Sequence, residues 1–148
     1  MLLAFTLPAA AQGGALEGDA VPLAIYQRAC LSCHGVEGQG KPGLYPPLAG
    51  VDWVNAPKPD RLIRIVLHGV VGPIGVNGKP WSTPAPFMPG HAATLNDAEI
   101  ARLLTWLRRS MGNNAPPVPA AAVAAIRAAT VERKSMWTAA ELLGIPDR

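Results

Sequence analysis

Cys30-Leu31-Ser32-Cys33-His34 decides how the rest of this chain is read. These are the only two cysteines among 148 residues, and a histidine directly follows the second. Two thiols at this spacing can reach the two vinyl groups on one edge of a haem, each closing a thioether. An imidazole one residue further on can then reach the iron from the same side, and the pattern is a haem-attachment signature. The competing chemistries need context that the chain does not supply. A redox Cys-x-x-Cys opens a helix in a βαβ setting, which is not apparent here. A zinc site needs further ligands, but there is no second cysteine pair, and His68 and His91 lack finger spacing. Two incidental structural thiols would not both have to fall in one motif with a histidine after it. The Gly-rich run Gly35-Val36-Glu37-Gly38-Gln39-Gly40-Lys41 has the spacing of a phosphate loop. Pro42, however, stands where the Mg²⁺-binding hydroxyl belongs, and no strand precedes the run.

Upstream of the motif, the spacing predicts a short helix from about Val21 to Cys33, with Pro22 near its first position, where a missing N–H costs nothing. Residues 1–19 read as a signal-peptide remnant and leader. A short apolar run ends in Ala9-Ala10-Ala11, with cleavage expected after Ala11, and the run is too short to span a bilayer. Export to the periplasm is the expectation, since haem attachment and this leader point the same way.

Downstream, Pro59-Asp60 followed by Leu62, Ile63, Ile65, Val66 and Leu67 predicts a second helix, stopped by Gly69, with His68 in a last turn favoured by the helix dipole. A third is expected from Asn96, with Glu99 completing a capping box. Ile100, Leu103, Leu104, Leu107 and Met111 would then share one face before Gly112. The Pro- and Gly-rich stretch between these helices excludes another long helix and suggests a hairpin at Val76-Asn77-Gly78-Lys79. Residues 113–148 form a Pro/Ala-rich extension, with a helix expected over about Ala120 to Arg133 and Val123, Ile126 and Thr130 on one side. The extension either packs back on the domain or docks a partner.

An iron held by one His can bind a second His, a Met, or stay open. Of four methionines, Met1 is in the leader, Met136 in the tail and Met111 on a helix face suited to core packing. Met88 differs, because in Pro86-Phe87-Met88-Pro89-Gly90 the prolines forbid helix and stiffen the backbone around one thioether. Met88 is therefore the preferred sixth ligand, with His91 and His68 as the other candidates. Leu44, Leu48, Trp53, Leu62, Val66, Phe87 and Leu104 are candidate walls of the pocket.

Taken in order, Cys30-x-x-Cys33-His34-Gly35, Pro46-Pro47-Leu48-Ala49-Gly50, Phe87-Met88-Pro89, Leu95-Asn96-Asp97-Ala98-Glu99-Ile100 and Thr105-Trp106-Leu107 resemble class I cytochrome c. The likeness covers residues 20–112, the expected cytochrome domain. It implies a small all-α fold, with three main helices around one covalently bound haem c and a helical tail appended. It implies that the Pro46 carbonyl accepts a hydrogen bond from the His34 ring, and that Tyr26 meets Trp106 where first and last helices cross. Pro22 replaces the family's usual Gly, which implies a looser crossing or a shorter first helix. The stretch from Pro47 to Gly90, the tail after Met111-Gly112-Asn113-Asn114, and the ending Trp137-Thr138-Ala139-Ala140-Glu141-Leu142 resemble cytochromes found with periplasmic quinoprotein alcohol and sugar dehydrogenases.

The expected function is one-electron transfer, with a periplasmic dehydrogenase as donor and an oxidase or another cytochrome as acceptor. The alternative is a haem enzyme or gas sensor with an open or labile iron site. The sequence offers no nucleophile–base pair or carboxylate dyad for substrate chemistry. A net charge of +3, without a basic stripe interleaved with aromatics, argues against nucleic acid as a partner.

Overall fold

Apolar residues at helical spacing dominate the chain wherever Pro and Gly do not cluster, and helices form there. A computed structural model describes residues 14–81 and 87–147. The expected cleavage point after Ala11 and the stiffening Pro86 lie outside the described residues. The elements are α1 (Gly14–Ala29), α2 (Leu31–His34), α3 (Asp52–Asn55), α4 (Asp60–His68), β1 (Gly69–Val70), β2 (Ile74–Val76), β3 (Lys79–Trp81), β4 (Met88–Pro89), α5 (Asp97–Leu107), α6 (Ala120–Ala129) and α7 (Ala139–Leu143). The chain is thus mostly helical, with two short antiparallel ladders added to the expected helices. β1 pairs with β4 and β2 with β3. No helix among the described residues is long and apolar enough to cross a membrane.

The first helix departs from expectation at both ends. It already includes Gly14, the first described residue, so Pro22 lies inside it. Proline in a helix interior loses one backbone hydrogen bond and crowds the preceding turn, yet its fixed φ is helical, and the flanking turns continue. The helix then breaks at Cys30, whose carbonyl accepts from both Cys33 N–H (3.2 Å) and His34 N–H (2.9 Å) and so starts the separate turn of α2. The crossing with α5 is close despite Pro22. Tyr26 and Trp106 ring centroids lie 5.3 Å apart, tilted by 54°.

α5 has the expected cap. The Asn96 side chain accepts from Glu99 N–H at 2.9 Å, and Glu99 accepts from Asn96 N–H at 2.9 Å. It stops at Leu107, however, so Met111 lies beyond the helix, with φ at +54°, while still packing against the core as expected. The physical cause is Asn113, whose buried amide donates to the Leu107 carbonyl at 2.9 Å and so ties off the helix end. The hairpin at Asn77-Gly78 forms as expected, with φ of 51° and 72° at these residues, the signs a type I′ turn requires.

The extension packs back on the domain. α6 lies against α4 and α5, and Val123 and Ile126 join the core cluster that includes Ile63, Leu67 and Leu104. α6 ends four residues earlier than expected, because the Thr130 hydroxyl turns back to donate to the Ile126 carbonyl at 2.7 Å. α7 was not anticipated, although Thr138 and Glu141 form a second capping box. Burying side chains such as Val123 and Leu142 stabilises the fold by roughly 1.5–3 kcal/mol each.

Candidate functional site

α2 exists to aim one histidine. It is a single turn, too short to be stable alone, and it is held by α1 behind it and by the loop that follows. Tyr26, 1% exposed, donates its hydroxyl to the Gly35 carbonyl at 2.6 Å, closing the chain just past the motif. Burial, with Cys30 nearby, pushes the Tyr26 pKa up to about 12, so the hydroxyl stays a donor. His34 is buried, and its Nδ1–H donates to the Pro46 carbonyl at 2.9 Å. Burial lowers the His34 pKa, with the Pro46 bond opposing. The ring is thereby kept neutral, with its proton on Nδ1 and a lone pair on Nε2.

His34 lines a deep cleft together with Cys30, Cys33, Pro46 and Met88. Thus the five residues singled out by sequence come together from α2, the loop before α3, and β4. All seven expected wall residues, Leu44, Leu48, Trp53, Leu62, Val66, Phe87 and Leu104, also line it. Its cavity volume is about 220 Å³. Packing voids in a folded interior hold a water molecule or less, so this is an apolar cleft rather than a packing void.

The two thiols are partly buried and free. Burial, then the neighbouring Cys33, pushes the Cys30 pKa up to about 11, so the free sulfur is a neutral thiol at neutral pH. Among the described residues no cluster of His, Cys, Asp and Glu could hold a bare metal ion. The Trp81 indole N–H is buried on the cleft wall with no partner among the described residues. A buried donor of this kind fits a group that brings an acceptor with it. An apolar slot, two thiols, an imidazole lone pair and an unmet donor fit a haem with its carboxylates.

Met88 is placed by backbone pairing rather than by a helix. It faces Val70 across the β1–β4 ladder, and Pro89 faces Gly69. The approach leaves no room at Gly90, where a Cβ would sit 2.6 Å from the Leu67 carbonyl oxygen and 2.7 Å from His68 Cα. Both obstacles are backbone and cannot rotate away. Gly90→Ala is expected to force the segment off α4 and to weaken the bonds from His91 N–H to Val66 (2.8 Å) and Ala92 N–H to Leu67 (3.1 Å). The expected cost is about 2–4 kcal/mol, measurable as a lowered unfolding midpoint.

His91 lines the cleft and is lowered in pKa by burial. His68 does not line it. It sits in the last turn of α4, but burial and then Arg133, Arg127 and Arg64 disfavour its charged form, so the dipole is not what holds it. Its Nε2 instead meets the Thr130 hydroxyl at 2.7 Å.

Sequence reasoning missed Arg108. Its side chain is 0% exposed at the end of α5, donating to the carbonyls of Val54 (2.7 Å), Ala56 (2.8 Å) and Pro116 (2.8 Å). It ties the cleft wall at α3 to the start of the extension. No local signal separates it from the neighbouring Arg109.

Comparison with known proteins agrees with this geometry. The family model described as Cytochrome c matches residues 23–110. A cytochrome c-552 of Thermus thermophilus is 36% identical over 115 residues, covering 76% of this chain and 72% of that protein. The cytochrome c subunit of the quinone alcohol dehydrogenase of Gluconacetobacter polyoxogenes is 36% identical over 97 residues, or 66% of this chain and 20% of that protein. The gluconate 2-dehydrogenase cytochrome c subunit of Pantoea cypripedii is 36% identical over 108 residues, or 70% of this chain and 23% of that protein. The chain therefore spans only about a fifth of the length of these dehydrogenase subunits. The family match runs from α1, behind the Cys-x-x-Cys-His turn, to the end of α5, and so takes in the whole cleft. On that ground the chain belongs to the cytochrome c family, whose covalently bound haem c the cleft fits.

Proposed function

We propose that Cys30 and Cys33 would hold the haem through thioethers, that His34 and Met88 would ligate its iron, and that the Pro46 carbonyl positions His34. The single observation that carries this reading is the Nδ1–H bond to Pro46 at 2.9 Å, which leaves Nε2 as the free lone pair in a cleft also lined by Met88 and both cysteines. When bound, the haem supplies one-electron exchange between Fe(III) and Fe(II). The chain's own residues do the rest. The Pro46 carbonyl fixes the tautomer of His34 and raises its basicity. The thioether of Met88 favours the reduced state relative to a second imidazole. Leu62, Val66 and Leu104 exclude water, which disfavours the more positively charged oxidised state in the same direction.

Leu44 and Phe87 line the cleft and are largely exposed. They offer an apolar mouth at which a redox partner can dock briefly, in an encounter typically burying under about 1,200 Å². The partner reading is a periplasmic quinone-type dehydrogenase as donor and an oxidase or another cytochrome as acceptor, with this chain exported to the same compartment. The support is that several relatives are named as dehydrogenase cytochrome c subunits. An optical spectrum beside a Met88→Ala variant tests the ligand set. The oxidised wild type is expected to show a weak near-infrared sulfur-to-iron band that the variant loses, while the reduced variant binds carbon monoxide readily. A wild type that lacks the band and binds carbon monoxide as fast as the variant overturns Met88 and favours an open iron site.

A further inference from the structure

The strand that carries Met88 is tied to the C-terminal extension in two independent places. First, β4 occupies one edge of β1, and the extension occupies the other. Trp137 N–H donates to the Gly69 carbonyl at 3.0 Å, and Val71 N–H donates to the Trp137 carbonyl at 2.8 Å, forming a parallel bridge to Val70. Val70 thus stands between Trp137 and Met88. Trp137 is itself pinned, with the Arg133 guanidinium 3.5 Å from its ring centroid. Arg133 is held in turn by both Glu141 carboxylate oxygens, at 2.9 and 3.0 Å.

Second, Arg127 on α6 spreads its three nitrogens over the segment that follows Met88. Nε donates to the Asp97 carboxylate at 2.6 Å, Nη1 to the Ala92 carbonyl at 2.7 Å, and Nη2 to the Leu95 carbonyl at 2.7 Å. The segment therefore sits between α4, which receives the His91 and Ala92 amides, and a fork from the extension. A ladder of two residues is marginal by itself. The backbone bridge on the far edge of β1 and the charge-assisted hydrogen bonds of Arg127 to the segment after Met88 both raise the cost of opening it.

We propose that the extension acts as a brace that keeps the Met88 sulfur on the iron, with Arg127 and Trp137 as its positioning residues. This rests on the reading of Met88 as axial ligand. A thioether is the weaker of the two axial donors, so the fraction of molecules with sulfur detached follows the local opening of residues 88–97. Loosening either attachment raises that fraction while the haem stays covalently bound and α4 and α5 stay folded.

The test uses the full-length haem-loaded protein and two substitutions. Arg127→Met removes the fork at nearly constant length, and Trp137→Pro removes the N–H that Gly69 accepts. Carbon monoxide binding to the reduced protein and the near-infrared band of the oxidised protein are followed well below the unfolding midpoint, with far-ultraviolet circular dichroism as the control for folding. Arg127→Met is expected to bind carbon monoxide at least about tenfold faster, from the usual size of charge-assisted hydrogen bonds, with native dichroism, and Arg127→Lys to restore part of the difference. Rates within about twofold of wild type in both variants, with only a lower midpoint, overturn the brace and leave the extension as packing alone. If instead the wild type lacks the band and Met88→Ala changes nothing, it is the Met88 assignment that has failed. Should a variant not fold, amide exchange in the wild type decides. The Val71 and His91 amides are expected to exchange with one common protection, and Val71 exchanging more than about tenfold faster would overturn the brace.

Discussion

A chain carrying Cys30→Ala and Cys33→Ala is expected to hold no haem once denatured, so that its intact mass falls to that of the bare polypeptide. Either single variant should keep one thioether and hence the haem mass. The argument is one of valence. These are the only two cysteines in the sequence, both line the cleft, and no other side chain there can add to a vinyl group as a thiol does. The effect should reach beyond attachment. The cleft is walled by residues such as Leu62, Val66 and Leu104 that are buried among core residues yet face the slot. An apolar slot left to water loses its hydration advantage at about 25 cal/mol for each Å². The double variant should therefore also unfold at much lower temperature than wild type, and by more when haem is withheld during expression. Haem mass surviving denaturation in the double variant would contradict this assignment of the thiols.

Arg108→Met is expected to destabilise the protein by about 3–5 kcal/mol, since it removes several hydrogen bonds from one charged donor, each worth about 1.5–3 kcal/mol. For a chain of this size that lowers the unfolding midpoint by roughly 6–20 °C. The methionine fills much of the volume, so the loss reads out hydrogen bonding rather than a cavity. The Val54 carbonyl would be left without its donor in the interior, and those of Ala56 and Pro116 in partly buried positions. Each such orphan costs about 1–3 kcal/mol. Arg109→Met, one residue along, serves as the control and should shift stability by no more than about 0.5 kcal/mol. Equal effects of the two substitutions in thermal unfolding would show that the guanidinium is not what joins α3, α5 and the extension.

Much of this protein could be read before folding because its signals are local. Cys30, Cys33 and His34 lie within one turn, so their spacing alone carries the attachment chemistry. Asn96 and Glu99 satisfy each other three residues apart, and Asn77-Gly78 supplies the two positive φ values of a tight turn. Met88 stands out because prolines deny its neighbours a helix. Each of these depends on a few adjacent residues and needs no knowledge of what they pack against.

The tertiary structure decided the rest, for the most part through partners far away in sequence. The end of α5 at Leu107 follows from Asn113 capturing its carbonyl. The helical turns before Pro22 override the local preference for proline at a first turn. Arg108 and Arg127 look in sequence like any exposed arginine, and become structural because loop carbonyls, most of them more than thirty positions away, converge on them. The extension reads as a separate tail by composition, yet α6 completes the core beside α4, and Trp137 pairs with β1. Chemistry that needs a fixed spacing of side chains is written in the sequence itself. Burial and satisfaction of a charged or polar group depend on which surfaces meet, and only the folded chain determines that.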